Sequence, residues 1–330
     1  MAGALTPAFS AVVTGAAWQA DVRAWLDRVV ASRGHEVTSV AQPRVRPWST
    51  QLVVETTSGR LWFKAGSAAM TFEPGLQTLL ARLVPQEVDA PVAAVPEQGW
   101  MLTADRGTTL ADSREPTQDD WVAVLRAWAR LQRVAAQYAD EVRRTGLPDH
   151  TPQGAADRFG VLVERLTALP TGHPARLPDD VAASLRDAHP TVAQAARTLA
   201  AGPYPASVQH GDLHPGNVFV VDGGLRVFDF GDAQWAHPLE TLMVSRAVVE
   251  HTGRVPWAPV QAAFVAEWDL SVDDGALGEL LRAASVTHAV NRSWAWWGAL
   301  AEASDAEWAD WGEAPVRHLA RVVDVVAGQA

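Results

Sequence analysis

The sequence predicts an α+β protein of two lobes. The first, residues 1–105, is a small antiparallel β-sheet carrying a helix; the second, residues 106–330, is larger and mainly helical. Three observations predict it. Residues 36–65 and 90–104 read as short strands broken by turn residues. From Asp119 onward apolar residues recur with a helical period. Residues 206–232 interrupt that period with a Gly- and Pro-containing loop and short apolar strands.

Each element has its own signal. Residues 16–33 place Trp18, Val22, Trp25, Leu26 and Val29 at helical spacing, and Gly34 stops the run. Segments 36–45, 51–57 and 60–65 are strands, with Ser58-Gly59 as a hairpin turn between the last two. Residues 72–84 form a helix with Leu76, Leu79, Leu80 and Leu83 on one face, expected to lie on the sheet. Pro74 and Gly75 fall in its first turn, where a missing N–H costs nothing. Segments 90–95 and 99–104 add two strands, and Asp105-Arg106-Gly107 marks the change of lobe. Trp121, Leu125, Trp128, Leu131, Ala135, Tyr138 and Val142 make one stripe, which predicts a single helix closed by Gly146. Helices are expected at 155–169 and 178–200, then a hairpin around Gly223-Gly224, then helices at 239–252, 257–269, 275–301 and 305–327.

Composition excludes several classes. The chain has 330 residues, 48% hydrophobic and 20% charged, enough for a core in each lobe. Cysteine is absent, so there is no disulfide framework and no thiolate metal site. The opening MAGALTPAFSAVV lacks a basic region and a clean apolar run, so no signal peptide is expected. No stretch approaches the roughly 18 apolar residues of a membrane helix. A cytoplasmic protein without membrane contact is the expectation. The net charge of −11 argues against general nucleic-acid affinity.

The segment His210–Asn217, HGDLHPGN, carries the chemistry. Its Asp212 and Asn217 lie five residues apart on a loop: a carboxylate that can orient a hydroxyl, and an amide oxygen that can ligate Mg²⁺. Twelve residues beyond Asn217, Asp229-Phe230-Gly231 ends an apolar strand, and a carboxylate there can bridge a metal ion to phosphate oxygens. Lysine and arginine together number 27, yet the only lysine is Lys64. A compact ammonium suits a phosphate ligand where a planar guanidinium does not substitute freely. Lys64 ends a strand, and nine residues on, Glu73 opens a helix, a spacing that allows an ion pair aimed at phosphates.

Taken in order, Lys64, Glu73, HGDLHPGN and FDFGD resemble the aminoglycoside phosphotransferase family, the small-molecule kinase branch of the protein-kinase-like fold. The resemblance runs over roughly residues 36–250. It implies a bilobal kinase-like fold, with the nucleotide on the first lobe and the catalytic loop and acceptor site on the second. It implies transfer of the γ-phosphate of Mg²⁺-bound ATP or GTP to a hydroxyl of a small molecule. Asp212 would be the catalytic base, Asn217 and Asp229 would hold Mg²⁺, and Lys64 with Glu73 would anchor the nucleotide. Backbone groups around Thr103 and Asp105 would meet the base. In place of a glycine-rich loop the chain reads RVRPWSTQL, and backbone N–H groups of Trp48, Ser49 and Thr50 would cover the phosphates. Gly211 replaces the arginine that links the catalytic loop of protein kinases to a phosphorylated activation loop. Only about ten residues separate Gly231 from the next helix, which disfavours a peptide acceptor.

Other residues have plainer readings. His210 and His214 lack companions for a metal site and are expected to pin and pack the catalytic loop. Asp232 suits either an acceptor contact or a turn. Trp294, Trp296 and Trp297 cannot share one helical face; packing is expected, with one lining the acceptor pocket as the alternative. Five acids within Glu302–Glu313 read as a solvated face, or alternatively as a site for an amine. The acidic balance tilts the acceptor slightly towards a cation: an aminoglycoside, an amino sugar or a similar metabolite. A monomer or homodimer is expected. The competing reading is a non-catalytic nucleotide-binding protein on the same fold.

Overall fold

The computed structural model describes residues 7–221 and 224–326. Residues 1–6, 222–223 and 327–330 are outside the described set, so the first part of the segment read for targeting, Gly223 of the expected turn and Ala327 of the expected last helix lie outside the described residues. Two helices, α1 (Phe9–Val13) and α2 (Ala16–Ala31), precede a five-stranded antiparallel sheet. Its strands are β1 (Val37–Val45), β2 (Ser49–Thr56), β3 (Gly59–Gly66), β4 (Ala93–Val95) and β5 (Trp100–Ala104), in the order β1-β2-β3-β5-β4. Helix α3 (Glu73–Leu83) sits between β3 and β4.

The small lobe has its own core. Leu52, Val54, Phe63, Ala65, Trp100 and Leu102 of the sheet are buried against Val22 and Leu26 of α2. Trp18 and Trp25 meet Phe63 and Trp100 edge-on, at centroid distances of 5.7–6.2 Å. The amphipathic stripe read from residues 16–33 is thus the lid of the sheet. Helix α3 was expected in that place. Instead its Leu76 and Leu80 enter the core of the helical lobe, alongside Trp121, Leu125 and Trp128. The register explains this: Lys64 and Trp62 point to the face opposite Phe63 and Ala65. Helix α3 must approach that second face for Glu73 to reach Lys64.

The second lobe opens with α4 (Leu110–Ser113), α5 (Gln118–Ala136) and α6 (Ala139–Arg143). A capping box formed by Thr117 and Asp120 starts α5. The single helix expected through Val142 does not form. The chain leaves helical geometry at Tyr138 (φ −115°, ψ 33°), which is exposed, and re-enters so that Val142 and Leu147 are buried. Helices α7 (Ala155–Thr167) and α8 (Asp179–Ala201) follow. Next come β6 (Ser207–Gln209), β7 (Val218–Val221), β8 (Gly224–Val227) and β9 (Gln234–Ala236), paired as β6-β9 and β7-β8. Helices α9 (Thr241–Thr252), α10 (Trp257–Glu267), α11 (Asp274–Ala299), α12 (Asp305–Trp311) and α13 (Glu313–Val326) complete the lobe. The last two were expected as one helix; Pro315 lacks the N–H that would bond to Trp311, so the chain restarts at Glu313. No helix of the described residues is long and apolar enough to cross a membrane.

Candidate active site

The site is assembled from three pieces of chain. On β3, Lys64 pairs with Gln51 of β2 and Met101 of β5. Its Nζ lies 2.7 Å from Glu73 Oε1 and 2.6 Å from Asp229 Oδ1. One ammonium therefore ties the sheet, α3 and the loop after β8 together. Burial alone would lower its pKa, but Asp229 and Glu73 outweigh that and raise it. Burial likewise works to raise Asp229, and the Lys64 charge more than reverses it, so Asp229 stays ionised. Glu73 is pushed up by burial, only partly offset by Lys64.

The second piece, the loop His210–Asn217, follows β6. His210 is fully buried, and burial lowers its pKa, so the ring is neutral. Its Nδ1 accepts from Asp212 N–H at 3.3 Å, which leaves Nε2–H to donate to Phe228 O at 3.1 Å. The ring packs edge-on to Trp128 and tilted against Phe230. This is the pinning role read from the sequence. Asn217 donates to the Asp212 carbonyl at 2.9 Å, and the Phe228 N–H donates to the Asn217 carbonyl at 3.1 Å. An amide whose N–H is spent inward keeps its oxygen for a cation.

Asp212 is set by opposing effects. Burial would raise its carboxyl; a hydrogen bond from His214 and the charge of Arg292 hold it down at about 2. His214 Nδ1 accepts from Gly216 N–H at 3.0 Å, so Nε2 carries the proton that faces Asp212 Oδ2 at 3.4 Å. Arg292 Nη2 lies 3.6 Å from Asp212 Oδ1, and Nη1 lies 2.9 Å from Asp232 Oδ2. Asp229 sits in the left-handed region, at φ 65° and ψ 65°, unusual for a residue with a side chain. The buried ring of Phe230, stacked on Trp128 at 6.3 Å, anchors that conformation.

Two adjoining cavities meet at Lys64 and Asp229. The larger, about 420 Å³, runs along β3, β5 and the hinge to Asn217, with Trp62, Met101 and Thr103 on its walls. The smaller, about 190 Å³, holds Asp212, Asp232, Ser49, Trp48, Arg292 and Trp296. Lys64, Glu73, Asp212, Asn217, Asp229, Ser49 and Thr103 are thus brought together around the cleft. The side chains of Thr50 and Asp105 line neither cavity. The Thr50 hydroxyl donates to Arg44 O at 2.9 Å and accepts from Gln42 inside the β1–β2 hairpin. Asp105 turns back to accept from Gly107 N–H at 2.9 Å.

Sequence reading missed Arg44, which lines both cavities, and Arg292, which no local motif marks. Of the three clustered tryptophans, Trp296 lines the small cavity. Trp294 donates to Arg158 O at 3.0 Å, and Trp297 packs on Trp308. None of the acids between Glu302 and Glu313 lines either cavity; Glu307 caps α12 with Ser304.

A two-lobed fold with an ammonium, two carboxylates and an amide around a cleft defines a kinase-like phosphotransferase class. The chain matches the phosphotransferase enzyme family APH over residues 54–284, more than half its length, and belongs to that family. No curated protein sequence matches it. Among solved structures it is similar to the ethanolamine kinase of Plasmodium vivax, with 11% identity over 88% of this chain and 84% of that one and a TM-score of 0.62. It is similar to macrolide 2'-phosphotransferase type I, with 15% identity over 91% and 97% and a TM-score of 0.57. It is also similar to an amicoumacin kinase in complex with AMP-PNP, Ca²⁺ and Ami, with 15% identity over 93% and 95% and a TM-score of 0.54. At these identities the likeness shows the fold.

Proposed function

We propose that the chain is an ATP- or GTP-dependent small-molecule kinase, with the nucleotide in the larger cavity and a hydroxyl acceptor in the smaller. The observation that carries this reading is the junction of the two cavities. Lys64 and Asp229 line both, and Asp212 stands on the acceptor side. The family match and the nucleotide analogue in the amicoumacin kinase complex support it.

The donor set fits Mg²⁺. Asn217 and Asp229 offer two oxygen ligands, and Mg²⁺ is commonly held by one or two side chains plus phosphate oxygens and water. Among the described residues no group of three or more acidic or histidine side chains could hold a metal alone, so the ion is expected to arrive with the nucleotide. When bound, Mg²⁺ neutralises charge on the phosphates. Lys64 fixes the phosphates on the nucleotide side, and Glu73 keeps its ammonium directed. Ser49 and Arg44, at the tip of the β1–β2 hairpin, face the same junction.

Asp212 receives a hydrogen bond from the acceptor hydroxyl and orients a lone pair at the γ-phosphorus. The acceptor oxygen bonds to that phosphorus, the bond to the β,γ-bridging oxygen breaks, the nucleoside diphosphate leaves, and the hydroxyl proton passes to Asp212. A carboxylate held at about 2 is a weak base. That suits a loose transition state, in which the proton leaves late and positioning supplies most of the rate. Asp212→Ala is expected to lower kcat by about 10³-fold or more while nucleotide affinity, measured by calorimetry, stays within about threefold. Undiminished turnover would overturn the assignment. A non-catalytic nucleotide-binding protein would show affinity without acceptor-dependent ADP release.

A further inference from the structure

Among the described residues, one cation on the walls of the two cavities has no carboxylate partner. Lys64 is held by Glu73 and Asp229, Arg106 and Arg226 by Asp89, and Arg292 by Asp212 and Asp232. Arg44 lines both cavities, is exposed, and makes no ion pair or side-chain hydrogen bond with the described residues. Its fork of five N–H donors suits the oxygens of a phosphate.

The direction of Arg44 is built into the sheet. Arg44, Gln51, Lys64 and Met101 are successive partners across β1, β2, β3 and β5, so their side chains leave the sheet on one face, the face of the cleft. A regular strand would not put Arg44 there. Ala41 pairs with Val53, whose own partner Trp62 lines the larger cavity. Three steps along an alternating strand lead from that face to the opposite one. The register shifts between Ala41 and Arg44, where Gln42 and Pro43 stand against Leu52 alone. This bulge returns Arg44 to the cleft. It is pinned from behind: Gln42 Nε2 donates to Val13 O at 3.2 Å and to Thr50 Oγ1 at 2.9 Å. The buried Thr50 hydroxyl in turn donates to Arg44 O at 2.9 Å.

The hairpin tip offers few donors of its own. Pro47 has no N–H, and the Arg46 N–H donates to Ser49 O at 2.9 Å. The Arg46 guanidinium lies over the Trp311 ring at 5.8 Å.

We infer that Arg44 binds the γ-phosphate of the nucleotide, doing with a side chain what a glycine-rich loop does with backbone N–H groups. Gln42 and Thr50 are positioning residues that fix its aim, so Thr50 serves the phosphates through Arg44. The γ-phosphate is the group that passes from the larger cavity to the smaller, and Arg44 lines both. The inference rests on the phosphotransfer reading.

The test is calorimetric binding, to the full chain, of Mg-bound AMP-PNP and GMP-PNP, of ADP and GDP, and of adenosine and guanosine. Arg44→Ala is expected to weaken the preferred triphosphate analogue at least tenfold and to leave the matching diphosphate and nucleoside within about threefold. Arg44→Lys, which keeps the charge but not the fork, is expected to recover part of that loss. Thr50→Val is expected to weaken the analogue about threefold, and Thr50→Ser, whose hydroxyl can keep both hydrogen bonds, to restore it. Arg44 is exposed, so its variants decide the matter even where Thr50→Val does not fold. Analogue affinity unmoved by Arg44→Ala would sink the inference and leave phosphotransfer standing. Equal losses for triphosphate and diphosphate would also overturn it, as would a raised acceptor KM with nucleotide affinity unchanged. A wild-type chain that binds neither triphosphate analogue would bring down the phosphotransfer reading as well.

Discussion

A Cβ on Gly211 would stand 2.2 Å from the carbonyl oxygen of Asp232, and the residue's φ of +82° is one that side chains rarely adopt. The arginine of protein kinases at this position is therefore excluded twice, by space and by backbone. Arg292 reaches the same neighbourhood from α11 and neutralises Asp212 and Asp232 directly. No phosphorylated loop is needed to complete that arrangement. Gly211→Ala must displace the Asp232 backbone and with it Asp212. It is expected to cost about 2 kcal/mol or more in chemical denaturation and to lower kcat by about 10²-fold. Wild-type stability and rate in that variant would show that the loop yields where the contact says it cannot. The sequence marked the glycine as a departure; the reason lies in a carbonyl 21 residues away in the chain.

At the scale of elements, α11 is tied to the turn before α9 through a buried carboxyl. Glu240 accepts from Thr287 Oγ1 at 2.7 Å and from Asn291 Nδ2 at 2.9 Å, with Arg158 of α7 as the charged group nearby. Burial pushes its pKa up from 4.5 to about 7, against those hydrogen bonds and Arg158. The folded protein thus keeps a proton that the unfolded chain releases. Stability from this group is present below about pH 4.5 and is lost as pH rises to about 7. The window is worth on the order of 3 kcal/mol at most. Glu240→Gln keeps an acceptor and removes the titration, so its unfolding free energy should be flatter than wild type between pH 5 and 8. Parallel pH profiles would rule this out. Elements themselves were legible wherever a stripe or a cap wrote them, as in α2, α3 and α5. Their breaks were less so: Tyr138 fits the stripe of α5, yet it is exposed because the core accepts Val142 and Leu147 instead.

Across the whole molecule, the contacts that join the lobes at the cleft include an ion pair and an aromatic cluster. One is the Lys64–Asp229 pair at 2.6 Å. The other is aromatic: Trp48, at the tip of the β1–β2 hairpin, meets Trp296 at 5.3 Å and Trp311 at 5.1 Å, both near 80–85°. Edge-to-face contacts of this kind add about 0.5–1.5 kcal/mol each beyond burial. Trp48→Ala is expected to lower Tm by a few degrees and to speed proteolytic cleavage in the connection between the lobes. An unchanged Tm with an unchanged cleavage pattern would show that this cluster does not hold the lobes closed. The tip where protein kinases place glycines over the phosphates is here Pro47 and Trp48, and the tryptophan is spent on the other lobe.

By itself the sequence determined the two-lobed order of elements, the lone lysine, and the two loops that present Asp212 with Asn217 and Asp229. These are local facts: periodicity, turn chemistry and spacing write them into a few neighbouring residues. Tertiary structure alone decided that α2 covers the sheet and α3 serves Lys64. It decided that Thr50 and Asp105 turn away from the cleft, and that Arg292, 80 residues beyond Asp212, stands beside it. Such pairings depend on which faces are buried against each other, and chain distance carries no record of that.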